Sequence, residues 1–176
     1  METFYEQLYK KKKVASDYLL QAGIILGSVI LSAAMVLFFP AFIPGFGLAI
    51  ALFASMGLFY LVLTKVLIKI DVEYEYIYLS GELDVDKIFS KSERTRLVTV
   101  KAVNFDQFGM LTPENESKIK QSSLNKIIDV RSNTGKQLYY AIFNHKDYKR
   151  TLLIFEPSDE ILEDLKRYIP REALRQ

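Results

Sequence analysis

The pattern of apolar and polar residues divides the chain into two parts. An unbroken run of 47 uncharged residues extends from Tyr18 to Thr64, interrupted only by a segment rich in Pro and Gly at 40–47. A helix needs about 20 apolar residues to cross a bilayer, so the run is long enough for two crossings. The sequence therefore predicts a juxtamembrane segment at 1–17 and a transmembrane hairpin at 18–69, with spans at about 18–39 and 48–68.

From Ile70 the hydrophobic period changes to two, which is typical of strands. Ser158, followed by two acidic residues and an apolar stripe, predicts the N-cap of a terminal amphipathic helix. Six or seven antiparallel strands closed by one C-terminal helix predict a pleckstrin-homology (PH)-like barrel or sandwich at 70–176, and thus an α+β membrane protein. The predicted strands are 70–78, 83–89, 97–108, 127–131, 137–143 and 151–155, with 111–123 as a loop or weak strand.

Basic residues flank the two predicted spans on one side only. Lys10, Lys11, Lys12 and Lys13 precede the first span, Lys65 and Lys69 end the second, and the turn at 40–47 has no charge. By the positive-inside rule, both termini and the soluble domain are expected in the cytoplasm, with the hairpin in the membrane. A secretory signal peptide is the competing interpretation, but its apolar region would be only about 7–15 residues long.

The spans lack ionisable residues at depth, so the hairpin is not expected to transport anything alone. Small residues at spacings of four allow close approach of helices. Two interpretations stay open: the two helices pack on each other, or the small residues mediate self-association or docking to a protein partner. The predicted helix-packing residues are Gly23, Gly27, Gly47, Ala51 and Ser55, with Ser28 and Ser32 at similar spacing.

Before the first span, the apolar residues Phe4, Tyr5, Leu8 and Tyr9 recur near helical spacing and lead into the four lysines. Such a segment can lie in the bilayer interface and attract anionic headgroups. The alternative interpretation is a simple topology signal. Lys10–Lys13 are the predicted membrane-surface residues in either case.

The charge balance excludes one class of partner. The chain has 23 Lys and Arg against 21 Asp and Glu, but residues 70–176 hold 17 basic and 18 acidic side chains. A nearly neutral domain is not expected to bind nucleic acid, which requires a concentrated basic face. The chain has no cysteine, which excludes disulfides, thiolate catalysis and cysteine metal sites.

Signals for enzymatic chemistry are weak, and neither an enzyme activity nor a cofactor is predicted. His145 is the only histidine and lies in a polar turn, so a triad or a multi-histidine metal site lacks partners. Glu82, Asp84 and Asp86 suggest a cation site, but their alternation with apolar residues also fits a solvated strand face. No phosphate-binding glycine motif or nucleophile elbow is present.

Four basic residues between the second and third predicted strands form a tentative lipid- or phosphate-binding site: Lys87, Lys91, Arg94 and Arg96. The spacing Lys-x6-Arg-x-Arg matches the basic pattern of phosphoinositide-binding PH domains. Guanidinium and ammonium groups bind phosphate oxygens well. The alternatives are a solvated loop, or a basic loop that orients the domain on the bilayer without recognising a specific ligand.

Two segments carry a resemblance to a known family: 73–89 (EYEYIYLSGELDVDKIF), with the basic loop that follows it, and 155–170 (FEPSDEILEDLKRYIP). On these the chain resembles DUF6106-like bacterial proteins of two spans and a PH-like domain. The resemblance implies this fold and a location in the bacterial cytoplasmic (inner) membrane. The expected role is a membrane-anchored adaptor or regulatory protein that contacts protein or anionic lipid; a component of a lipid-handling or transport assembly is the alternative.

Overall fold

The computed structural model of the chain describes residues 3–91 and 93–174. The chain forms two compact units. One unit, the hairpin, comprises Lys13–Val72. The other, the sheet domain, combines residues 3–12 with the described residues from Glu73 onward, whereas the sequence divides the chain near 17 and 69. The hairpin is thus inserted into the chain of the sheet domain.

The hairpin consists of two long apolar helices. Helix α1 spans Ala15–Phe42, and α2 spans Gly47–Leu61 before continuing through a π-helical turn and a 3-10 turn to Ile70. By length and composition, Ala15–Phe42 and Gly47–Ile70 can each cross a membrane. Only four residues join the helices, and Gly45 adopts φ +87° there, a conformation that favours glycine.

The predicted packing residues fall into two groups. Gly47, Ala51 and Ser55 of α2 are buried, as are Ser28 and Ser32 of α1. A Cβ at Gly47 would lie 2.6 Å from the carbonyl oxygen of Phe39, so only glycine permits this close approach. Gly23 and Gly27 instead have open space where a Cβ would be.

The first sheet of the sheet domain has four strands in the order β1-β2-β3-β4. Its strands are β1 (Phe4–Lys10), β2 (Val72–Leu79), β3 (Glu82–Phe89) and β4 (Glu93–Lys101). The turn predicted at Ser80-Gly81 separates β2 from β3 and has positive φ at both residues.

The second sheet has the order β5-β7-β8-β6, with β6 parallel to β8. Its strands are β5 (Phe105–Leu111), β6 (Lys126–Asp129), β7 (Leu138–His145) and β8 (Lys149–Phe155). The α+β class is therefore confirmed. The described strands form two separate four-stranded sheets, so a closed barrel, with a helix that closes it, is not confirmed.

Strand β1 lies where the sequence pattern indicates helical spacing. Phe4–Lys10 pairs antiparallel with β2 over seven residues, so the expectation of helical spacing is wrong. The side chains alternate: the Tyr5 ring stacks on Tyr78 at 6.2 Å, and the Tyr9 ring meets Tyr76 at 5.6 Å. We call this side of the first sheet the tyrosine face.

The predicted long strand at 97–108 is two strands. The chain leaves the first sheet after Lys101, makes a 3-10 turn at Ala102–Asn104 and enters the second sheet at Phe105. The buried Ala102 marks the corner, where its N–H donates to the carbonyl of Gly81 at 2.7 Å. A continuous apolar pattern across this corner conceals the change of sheet.

The segment predicted as a loop or weak strand contains helix α3 (Pro113–Gln121). The N–H of Thr112 donates to Oδ1 of Asn115 at 2.9 Å, and Pro113 occupies the first turn, where its missing N–H costs nothing. A single apolar residue, Ile119, packs on the core of the second sheet. The weak amphipathic pattern explains why this helix was not predicted.

Glu116 of α3 binds Arg131, which follows β6. Protonation of Glu116 is expected to weaken this contact between the helix and the second sheet. Glu116 accepts from Nη2 of Arg131 at 2.6 Å and from Lys120 at 2.7 Å, and these bonds lower its pKa to about 2. A carboxyl with a depressed pKa stabilises the fold above its unfolded pKa, near 4.5, and the effect disappears as the pH falls toward 2. Because the group is partly solvated, we expect about 1 kcal/mol from it.

Glu116→Gln should therefore lower the free energy of unfolding by about 1 kcal/mol at pH 6 and by much less at pH 2.5. Urea titrations of both proteins at the two pH values measure the difference. An equal loss at both pH values would show that the carboxylate charge contributes nothing.

The C-terminal helix α4 (Asp159–Tyr168) begins at the predicted cap, since Oγ of Ser158 accepts from the N–H of Ile161 at 3.4 Å. Its buried Asp164 accepts from the hydroxyl of Thr3 at 2.7 Å and from that of Tyr78 at 2.8 Å. Burial and this bond raise the pKa of Tyr78. Helix α4 is thus bound to the start of β1 and to β2.

Candidate functional site: the charged face of the first sheet

The four predicted lipid-binding residues do not share one face of the sheet. In the β3–β4 register, Asp86 lies opposite Arg96 and Lys87 lies opposite Thr95. Because successive side chains point to opposite faces, Arg96 and Arg94 share the face of Asp86, and Lys87 lies on the other. We call the first of these the charged face; Lys87 belongs to the tyrosine face.

Both arginines on the charged face bind carboxylates. Arg94 forms a short contact with Glu75 and lies 3.8 Å from Asp86. Arg96 binds Asp86 in a bidentate contact, with Nε and Nη2 donating to the two carboxylate oxygens. Its Nη1 also donates to Asp84 at 2.5 Å. The side chains of Glu75 and Asp86 are only 6% and 2% exposed, whereas about half of each guanidinium side chain reaches solvent.

Burial sets the electrostatics of this face. It raises the pKa of Glu75 above its usual range even though Arg94 opposes the shift. Hydrogen bonding to Asp86 raises the pKa of Arg96. A buried carboxylate that loses its cation is strongly destabilised, so a phosphate ligand would have to compete with Glu75 and Asp86 for both guanidinium groups.

The two predicted lysines are placed differently. The ammonium group of Lys87 lies 4.6 Å from the ring centre of Phe89, and burial together with the nearby charge of Lys11 lowers its pKa. Lys91 is exposed in the β3–β4 turn, with φ +61°. Neither lysine belongs to the ion-pair network of Arg94 and Arg96 in the contacts of the described residues.

The lysines before the hairpin lie beside a loop that the sequence interpretation did not consider. The N–H of Lys12 donates to the carbonyl of Ser132 at 2.7 Å. The ammonium group of Lys136 lies 4.6 Å from the ring centre of Tyr9 and 3.5 Å from its hydroxyl. No local pattern could have indicated this contact, because the two residues are 127 positions apart.

The acidic and histidine candidates have structural partners. Glu82 lies 3.6 Å from the ammonium of Lys101, and Asp84 and Asp86 bind Arg96. Nδ1 of His145 accepts from the N–H of Asp147 at 3.2 Å within the β7–β8 turn. In residues 3–91 and 93–174, no group of three or more His, Cys, Asp or Glu side chains could hold a metal ion.

The buried carboxylate of Glu156 joins the segment after β6 to the end of β8. Glu156 accepts from the N–H of Ser132 at 2.9 Å and from the hydroxyl of the same residue over a short distance. Its own N–H donates to the hydroxyl of Tyr76 at 3.3 Å, and that hydroxyl donates to the carbonyl of Val130 at 3.2 Å. These bonds hold the 130–136 loop against the first sheet, beside Tyr9.

A family model described as "Bacterial PH-like domain (DUF6106)" matches residues 1–175. The chain belongs to this family. The match covers the hairpin as well as both parts of the PH-like domain, so the inserted arrangement lies within the family region, and the resemblance carried by 73–89 and 155–170 is confirmed. No curated protein and no solved structure matches the chain.

Proposed function

We propose that this chain is a membrane-anchored adaptor or regulatory protein without enzymatic activity. It presents its PH-like domain at the cytoplasmic face of the bacterial inner membrane for contact with protein or anionic lipid. The observation that carries the proposal is the insertion of the apolar hairpin between the first and second strands of the domain. An anchor inserted in this way fixes the domain to the membrane at two points rather than one.

The insertion supports a two-crossing topology. Within the PH-like domain, Lys10 lies opposite Glu73, so the chain leaves and returns at neighbouring positions. Within the hairpin, Nζ of Lys13 lies 3.9 Å from Asp71. Both ends of the hairpin therefore belong on one side of the bilayer, which requires an even number of crossings. The flanking lysines favour the cytoplasmic side.

The hairpin favours an anchor over a conduit. Ion and proton pathways use charged or histidine residues at membrane depth, and the run from Tyr18 to Thr64 has no Asp, Glu, Lys, Arg or His. Gly23 and Gly27 remain the candidates for self-association or for docking to a second membrane protein, because space is open around them. Docking of that kind is also what the alternative role, a component of a lipid-handling or transport assembly, would require.

Single-cysteine labelling tests the topology cleanly, since the native chain has no cysteine. We expect Phe46→Cys, at the tip of the hairpin, to react with a membrane-impermeant maleimide in intact spheroplasts. Asp147→Cys, in the exposed β7–β8 turn, should react only after lysis. Labelling of Asp147→Cys in intact spheroplasts would place the domain outside and overturn the proposal; complete labelling in detergent is the control for reactivity.

A further inference from the structure

We infer that one end of the PH-like domain is an anionic-lipid contact surface, formed by Lys11, Lys87, Lys91 and Lys136. We call it the lysine end. The inference deepens the proposed function, because it rests on the hairpin being a membrane anchor, and it names lipid phosphate as the ligand chemistry. It also moves the lipid contact away from Arg94 and Arg96, to which the basic sequence pattern points.

The topology of the first sheet brings the lysine end together. The chain leaves the domain after Lys12 and returns at Glu73, beside Lys10. Strands β2 and β3 are neighbours joined by the tight Ser80-Gly81 turn, so β3 runs back toward the point of return. The β3–β4 turn, with Lys91, consequently lies at the same end as both connections to the hairpin.

The loop at 130–136, between β6 and β7 of the second sheet, also lies at this end. The backbone bond from Lys12 to Ser132 holds the loop in place, and Lys136 lies over the ring of Tyr9. Lys11 and Arg131 line a shared polar pocket of about 350 Å³. The opposite end of the domain carries the Ser80-Gly81 turn and the β7–β8 turn, where Glu82 and Asp147 line one pocket.

Among the contacts of residues 3–91 and 93–174, none of these four lysines forms an ion pair, although Asp129 lines the same pocket as Lys11. Burial lowers the pKa of Lys87, and the nearby positive charge of Lys11 lowers it further. Glu73 lies opposite Lys10, and Asp129 is bound by Arg131 at 2.9 Å. Anionic headgroups attract basic residues near the bilayer surface and would offset the positive charge gathered at this end.

Short connections join the lysine end to the hairpin. Only Lys13 and Val14 lie between Lys12 and Ala15, the first residue of α1, and the three residue steps from Lys12 to Ala15 span at most about 11 Å. Arg94 and Arg96 are satisfied by Glu75, Asp84 and Asp86 on the charged face, so their positive charge is already compensated. The lysine end thus combines short connections to the hairpin with ammonium groups that form no ion pair among the described residues.

The test uses the full chain in nanodiscs that contain a headgroup spin-labelled lipid. A fluorophore on Glu93→Cys, beside the β3–β4 turn, reports the lysine end, and one on Asp147→Cys reports the opposite end. In discs with 30% phosphatidylglycerol we expect at least threefold stronger quenching at position 93 than at 147. In purely zwitterionic discs, quenching at 93 should decrease at least twofold.

Two matched triple variants identify the lysines. Lys87→Gln, Lys91→Gln and Lys136→Gln together should remove most of the anionic-lipid effect at position 93. Lys146→Gln, Lys149→Gln and Lys166→Gln together make the same change in charge on other exposed lysines and should leave the effect intact. Lys10–Lys13 are kept, so the topology signal is unchanged in both variants.

Equal quenching at positions 93 and 147, equal quenching in the two lipid mixtures, or equal effects of the two triple variants would each overturn the inference. The labelling experiment on Asp147→Cys is read separately. If it reports a cytoplasmic domain while the quenching shows no anionic-lipid effect, the lysine end fails and the membrane anchor stands. If it reports an external domain, the proposed function itself fails.

Discussion

A soluble fragment of residues 70–176 is expected to be poorly folded, even though it contains all the residues that the sequence pattern assigns to the soluble domain. A fusion in which a short Gly/Ser linker joins residues 1–12 to residues 73–176 should fold cooperatively. We expect the free energy of unfolding to differ by about 4 kcal/mol, or more than 10 °C in Tm for a domain of this size. Urea titration followed by tyrosine fluorescence measures it.

The reason is that the fragment lacks β1. Loss of this strand exposes the edge of β2 along seven paired positions and uncovers Tyr76 and Tyr78, both fully buried in the complete chain. It also removes the hydroxyl of Thr3 from the buried Asp164 and the side-chain oxygen of Gln7 from the N–H of Ser158. A buried polar group without its partner costs about 1–3 kcal/mol.

The fusion protein provides its own control. Tyr5→Ala and Tyr9→Ala within the fusion should reproduce part of the loss, because these side chains pack on Tyr78 and Tyr76. Phe4→Ala, on the exposed side of the same strand, should change stability by less than about 0.5 kcal/mol. If the 70–176 fragment unfolded at the same urea concentration as the fusion, β1 would not be part of the stability core.

The sequence predicted best where one element carries a strong periodic signal. The apolar run, the Ser80-Gly81 turn and the Ser158 cap are each determined by local residues, and the structure has helices, a turn and a cap at these positions. Strand β1 failed for the opposite reason. The exposure of its seven residues alternates in the structure, but its apolar residues form two adjacent pairs in the sequence, Phe4-Tyr5 and Leu8-Tyr9. Its partner strand lies more than 60 residues away, beyond the hairpin.

Helix α3 and the corner at Ala102 show two other limits. Helix α3 has capping signals at Thr112 and Pro113 but only one apolar residue that packs on the core, so it shows no hydrophobic periodicity. The second lies within a continuous apolar stretch, and only tertiary contacts separate β4 from β5. Propensity and period describe one segment at a time, whereas these features depend on what each segment packs against.

The candidate site shows the same limit in its chemistry. The pattern from Lys87 to Arg96 groups four cations along the chain, but strand alternation places Lys87 and Arg94 on opposite faces. The carboxylates that bind the arginines come from β2 and β3. Lys136, in the loop before β7, lies over the ring of Tyr9 and so joins the lysines at the end of β1. The sequence identifies these side chains as basic. It does not show that the arginines form ion pairs with carboxylates, whereas the lysines form none among the described residues.

Arg94→Gln is expected to destabilise the domain by about 2 kcal/mol at pH 7.5, because it leaves the buried Glu75 without its cation. The usual value for breaking a buried pair is reduced here since Arg94 is half exposed. Lys101→Gln is the matched control on the same strand: its partner Glu82 is far more exposed than Glu75, with 42% of its side chain accessible, so the loss should stay below about 0.5 kcal/mol. Urea titrations of the fusion protein give both values.

The pH dependence of the loss separates charge from packing. Burial already raises the pKa of Glu75, and removal of Arg94 deletes the interaction that lowers it, so the pKa rises further in the variant. A carboxyl with a raised folded pKa favours the folded state at low pH, and this contribution is lost as the pH rises through the folded pKa. The loss in Arg94→Gln should therefore be smaller at pH 5 than at pH 7.5.

Neutralising the carboxyl as well provides the decisive comparison. Glu75→Gln together with Arg94→Gln should recover most of the stability lost in Arg94→Gln alone, because no charge is then buried without a partner. The double variant should also lose the difference between pH 5 and pH 7.5. A double variant less stable than Arg94→Gln would show that the pair acts through packing, and the compensated arginines would then no longer explain why the lipid contact lies at the lysine end.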